Sequence, residues 1–256
     1  MLVRIRSIIV FGMEMMDIGY CIYETYDVLL NSTDKNINQV VTSMDFISKI
    51  RQSSETLHEA TEHTGIIKKL VEGNASIEEY AEYLFNLSAM YKIIEETIEE
   101  NRSNEVVKEF ATKELYRFHL IEQDLAYFSK EKESKFELCA STMAMVARVK
   151  EIGINNPELI IAYAYTRFLA DLFGGRMFAE LLGNSYKVPA EGLNYYKCDR
   201  IQDIRTYVMN YAMKINALNF TEDMQEKMLN EVRNAYIYNL AISCELDVKR
   251  TKLDHK

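Results

Sequence analysis

Tyr165-Thr166-Arg167-Phe168-Leu169-Ala170-Asp171-Leu172-Phe173-Gly174-Gly175-Arg176 lies inside a long apolar run with helical spacing. Two adjacent glycines in a helix cost roughly 1 kcal/mol each relative to alanine. A cost of that size marks a kink or a close approach to the backbone. Ala170 and Gly174, four apart, form a bare strip, and Asp171 and Gly175 form the strip beside it. The spacing admits two readings. One is a tight helix–helix crossing through small residues. The other is a large planar ligand lying on the backbone with one buried acid beside it.

Outward from this stretch, the pattern from Asp45 onward is helical, with apolar residues recurring every three or four positions. It predicts helices over about 44–60, 62–72, 76–101, 104–129, 134–153, 156–184, 200–217 and 221–247. Gly73 with Asn74 stops the second helix, and Ser76 with Glu79 forms a capping box for the third. Pro157 sits at a first helical position, and Thr221 reads as an N-cap. No alternating strand pattern of useful length and no internal repeat is visible. The expectation is an all-α single domain over 44–247, preceded by an extension, 1–43, and followed by a charged tail, 248–256. The extension is either an added helix or, if translation starts at Met44, a poorly ordered stretch outside the native chain.

Composition supports this. Of 256 residues, 48% are apolar and 27% charged, which excludes a wholly disordered chain. Nine Gly and two Pro are too few for a chain of many short strands. A net charge of −9 disfavours non-specific binding to nucleic acid or to an anionic membrane surface. No stretch reaches the roughly 18–20 apolar residues of a membrane span. Cys21, Cys139, Cys198 and Cys244 show no zinc or redox spacing, so a cytoplasmic chain with reduced thiols is expected.

The helix carrying His58 holds the second constellation. At 100° per residue, Arg51 lies two turns back on nearly the same face, and Glu62 lies one turn ahead. Ser54, Thr61 and Gly65 add small groups there. The imidazole could ligate a metal while Glu62 accepts from its other nitrogen. An ordinary core or surface histidine fits the spacing as well. A di-iron carboxylate site needs two Glu-x-x-His elements, and only Glu55-Thr56-Leu57-His58 qualifies. No nucleophile motif or phosphate-cradling loop is present; His255 falls in the charged tail.

Together, the two constellations resemble the heme oxygenase family, of the biliverdin-producing, soluble bacterial type. Ile50 to His63 is similar to the family's proximal helix, and the spacing from His58 to Gly73, Tyr91 and Glu95-Glu96 matches without gaps. Ala164 to Gly175 resembles the family's distal helix, A-Y-T-R-Y-L-G-D-L-S-G-G, and Leu218 to Leu246 its final helix. The resemblance covers roughly Asp45 to Leu246. It implies a heme-oxygenase-type helical bundle that uses O₂ and a reductant to cleave heme to biliverdin, CO and ferrous iron. Heme b is then both substrate and cofactor, with electrons from a redox donor protein: a reductase, ferredoxin or flavodoxin. By position it implies His58 as axial iron ligand with Glu62 as its partner. Gly174 and Gly175 would lie over the distal face, and Asp171 and Arg167 would hold the water network that delivers a proton to oxygen. Arg51 and Tyr165 would meet the propionates, Tyr91 and Asn239 would complete the distal hydrogen bonding, and Tyr236 would pack on the porphyrin.

The chain also departs from the family pattern. Ala170, Phe173 and Arg176 replace the family's glycine, serine and glutamine. Val208 and Ala212 stand where the family places basic residues; Arg205, Lys214, Lys197 and Arg200 are the substitutes nearby. These departures keep two competitors in view: a heme store or carrier without turnover, and a bundle of the same shape with an unrelated small-molecule site, such as a thiamin-degrading type.

Overall fold

The structure, a computed structural model, describes residues 45–129 and 136–254, with side chains to Lys249. Among them there is no strand. The helices are α1 Phe46–Glu62, α2 Gly65–Val71, α3 Ile77–Glu100, α4 Phe118–Phe128, α5 Ala140–Asn155, α6 Ile160–Ala164, α7 Ala170–Ser185, α8 Ile204–Asn216 and α9 Glu222–Asp254. A single π-helical turn, Tyr165–Leu169, joins α6 to α7. The expected extension 1–43 and His255 lie outside the described residues. Residues 248–254, expected in the charged tail, continue α9.

The caps expected from sequence are present. Ser76 and Glu79 form the capping box of α3, and Gly73 takes φ +72° to end α2. Thr221 Oγ1 accepts from Met224 N at 3.3 Å at the start of α9. Long α9 packs against α1, α2, α5 and α6, and α3 packs against α4 and α5. Between them lies a continuous core that includes Ile50, Leu84, Leu87, Ile94, Val149, Ile160, Phe168 and Val232.

Three expectations need correction. The predicted helix 104–129 is broken into 3₁₀ turns at Val107–Phe110 and Lys113–Leu115 followed by α4. The break has a tertiary cause. Glu95, on α3, accepts the backbone N–H groups of Arg117 and Phe118 at 2.6 and 2.9 Å, so α4 starts there. Arg117 itself is buried and donates to the Lys197 carbonyl at 2.8 Å. Likewise the predicted helix 134–153 begins only at Ala140, because Glu245 of α9 accepts from Ala140 N and Ser141 N. Gly65, placed with the small groups of the His58 helix, instead starts α2 at φ +59° against Ser243.

Candidate functional site

The site grows from the π turn. The extra residue of a π turn shifts the register of the side chains that follow, and such turns occur often at functional sites. Here it brings Arg167 and Asp171 to one polar cluster in an otherwise apolar interior. Arg167 reaches the Tyr91 hydroxyl with Nε at 3.2 Å, Asn239 Oδ1 with Nη1 at 3.4 Å and Asp171 Oδ1 with Nη2 at 3.5 Å. Tyr91 donates to Asp171 Oδ2. Burial pushes the Tyr91 phenol well above its ordinary pKa, so it remains a donor. Four residues singled out from sequence, Tyr91, Arg167, Asp171 and Asn239, thus form one hydrogen-bonded network.

A second group assembles on α1 and α9. His58 is half exposed, with Nε2 3.6 Å from Glu62 Oε1. Its ring meets Tyr236 edge-on at 5.7 Å. Burial raises the Glu62 carboxyl, against the opposing pull of His58 and His63. Tyr236 and Asn239 are three apart on α9 and share a face. That face therefore carries both the imidazole contact and one member of the Arg167 cluster. Arg51 hydrogen-bonds Tyr165 and lowers its phenol against the upward push of burial, which prevails. Arg51, Glu62, Tyr165 and Arg167 all act electrostatically on the Tyr236 hydroxyl.

Two features mark space for a flat ligand. A Cβ built on Gly174 meets nothing within 4 Å, and Ala170, one turn earlier, is exposed on an otherwise buried run. Gly175 is different: it is buried, with Tyr196 3.4 Å from where its Cβ would stand. The Tyr211 hydroxyl is buried with no hydrogen-bond partner among the described residues, and Tyr165 and Tyr207 are its polar neighbours. A bare strip, an imidazole, a guanidinium and an orphaned hydroxyl form a donor set that suits a planar dicarboxylate macrocycle carrying iron.

Sequence reasoning missed Tyr195. It lies in a 3₁₀ turn, Asn194–Tyr196, outside any helical period, and the aromatic pair Tyr195-Tyr196 was its only signal. Val208 and Ala212 are buried. Of the proposed basic substitutes, Lys214 donates to the Glu109 carbonyl at 2.8 Å and Lys197 to Asn194 at 2.6 Å. No described helix is long and apolar enough to cross a membrane.

Comparison with known proteins agrees with the geometry. The heme oxygenase family model matches residues 44–245. Heme oxygenase 1 of Gallus gallus is 28% identical over 204 residues, which is 78% of this chain and 69% of that protein. The heme oxygenase structure from Leptospira interrogans superposes with a TM-score of 0.73 at 26% identity, covering 79% of this chain and all of that one. Heme oxygenase-2 from Synechocystis, solved with heme and NO, gives 0.76 at 25% identity, covering 82% of this chain and 88% of that one. With a family match over most of its length and a polar network where the distal-helix string places it, the chain belongs to the heme oxygenase family of heme-cleaving oxidoreductases.

Proposed function

We propose that this chain opens heme to biliverdin, with release of CO and ferrous iron, at a site between α1 and the α6–α7 segment. The observation that carries the reading is the Tyr91–Arg167–Asp171–Asn239 network, set beside the bare Ala170–Gly174 strip. Heme, when bound, is both substrate and cofactor and supplies the iron at which O₂ reacts.

The side chains have separable tasks. His58 would hold the iron through one imidazole nitrogen, and Glu62, 3.6 Å from the ring, would orient it through the other. Arg51 and Tyr165 take the propionates, and the orphaned Tyr211 hydroxyl stands near enough to Tyr165 to share that task. Gly174 keeps the distal face bare, while Gly175 lets α7 approach Tyr196. Asp171 orders the water through which protons are delivered, and Arg167, Tyr91 and Asn239 hold the carboxylate in place. Tyr236 walls the pocket beside His58. Electrons come from a redox donor protein, for which a reductase, ferredoxin or flavodoxin has suitable chemistry.

Purified protein is mixed with hemin, the Soret spectrum is recorded, and a reductase system is then added in air. A sharp histidine-type band that decays to biliverdin, with iron trapped by a chelator, supports the proposal. A band that persists would identify a heme carrier, the reading favoured by the Ala170 methyl on the exposed strip. Asp171→Ala should keep the band and lose biliverdin formation; turnover at an undiminished rate would remove Asp171 from the mechanism.

A further inference from the structure

Asp171 is held from a direction that the helical segment itself does not supply. Tyr195, buried to 3% exposure, donates its hydroxyl to Asp171 Oδ1 at 2.6 Å. Arg167 Nη2 donates to the same hydroxyl at 2.9 Å. A phenol has one proton. Tyr91 commits its own to Asp171 Oδ2 and Tyr195 commits its own to Oδ1, so the 3.1 Å approach of the two hydroxyls is a contact fixed by their shared acceptor. The carboxylate therefore receives Tyr91 on one oxygen, and Tyr195 and Arg167 on the other. An ionised carboxylate offers about four acceptor positions. Three are taken by protein, which leaves one for a water.

The Tyr195 hydroxyl is aimed by a second buried acid. Asp124, on α4 and fully buried, accepts from Tyr195 N with Oδ2 at 2.8 Å. Its Oδ1 accepts from Asn194 N and Asn194 Nδ2, each at 2.8 Å. The Tyr195 ring is wedged between Tyr91, edge-on at 5.7 Å, and Tyr196 at 4.6 Å. A buried carboxylate that binds a turn only through its backbone and one amide has no direct part in chemistry at Asp171; it fixes where the turn sits.

We propose that Tyr195, seated by Asp124, is a positioning residue for heme oxidation: its hydroxyl fixes the Asp171 carboxylate and limits the water bound there to one. The inference rests on the proposed role of Asp171 in proton delivery. It adds a pair of residues, on α4 and on a 3₁₀ turn, that act through that carboxylate.

The test is Tyr195→Phe, which keeps the ring and its packing, alongside Asp171→Asn, the double variant and Asp124→Asn. Each is titrated with hemin, scanned from pH 6 to 10 as the ferric complex, and assayed for biliverdin. Tyr195→Phe should bind hemin within about twofold of the parent, because its hydroxyl faces Asp171 and not the propionate side. Its turnover should fall about tenfold with KM unchanged, the loss of one hydrogen bond to a charged group. With one donor fewer, the carboxylate charge is less offset and hydroxide is harder to form in the pocket. The acid-to-alkaline spectral midpoint should therefore rise by about half a unit. Asp124→Asn should move both readouts the same way, and neither change should add to Asp171→Asn. Parental turnover and midpoint in Tyr195→Phe, with Asp171→Asn inactive, would overturn the positioning role and leave the proposed function standing. Full turnover in Asp171→Asn would overturn both.

Discussion

His58 and Tyr236 meet edge to face, with ring planes at 90° and centroids 5.7 Å apart. The contact ties the exposed imidazole of α1 to the buried face of α9, three residues from Asn239, which accepts from Arg167. His58→Ala should therefore damage ligand binding far more than folding. The sharp Soret band should be lost and then restored by added imidazole. Stability should fall by less than about 1 kcal/mol, since half of the side chain is exposed. An unchanged Soret band would exclude His58 as the axial ligand.

Gly174 and its surroundings predict opposite effects on stability and on function. Nothing lies within 4 Å of its missing Cβ, so alanine fits the protein without heme. Gly174→Ala should raise urea resistance by about 0.8 kcal/mol through helix propensity alone. The same methyl would project into a filled crevice once heme is bound, where overpacking costs about 1–3 kcal/mol. Hemin affinity or turnover should drop roughly tenfold or more. A variant that is stabilised and equally active would show that the strip does not face heme.

Much of the fold could be read from the chain, because the helices are long, amphipathic and locally capped at Ser76, Gly73 and Thr221. Where the reading failed, the cause lay far away in sequence. Glu95 starts α4 by accepting from Arg117 and Phe118, Glu245 starts α5, and Asp124 seats the Tyr195 turn. A carboxylate that caps a helix from another helix leaves no trace in local periodicity. The distal network was legible because Arg167 and Asp171 share a helical face in a distinctive string. Tyr195 was not, because a 3₁₀ turn has no amphipathic pattern to read. The π turn was also hidden: the two glycines suggested a kink near position 174, and the irregularity lies at Tyr165–Leu169.

Gly65 closes the α1–α2 corner in a conformation that L side chains avoid. It takes φ +59°, and a Cβ there would collide with the Ser243 carbonyl of α9. Left-handed strain of about 1–2 kcal/mol adds to the displacement of packed backbone. Gly65→Ala should destabilise the protein by about 3 kcal/mol or more in urea unfolding. A loss under about 1 kcal/mol would mean that the corner can shift away from α9.

Glu95 should give the stability of this protein a measurable pH slope. Burial pushes its carboxyl from an ordinary 4.5 up to about 7, against the two backbone donors and Arg117 that favour the charged form. The folded chain then keeps this proton up to about pH 7, while the unfolded chain releases it near 4.5. Between those values the folded state binds more protons, so stability falls as pH rises. The shift corresponds to about 3 kcal/mol lost across the window and nothing further above it. Glutamine retains an acceptor for Arg117 N and Phe118 N and does not titrate. Urea midpoints of the parent and Glu95→Gln, compared at pH 5 and pH 8, should show the variant losing about 2.5 kcal/mol less over the interval. Parallel pH dependences for the two proteins would mean that Glu95 stays ionised throughout, held by Arg117 more strongly than burial opposes it.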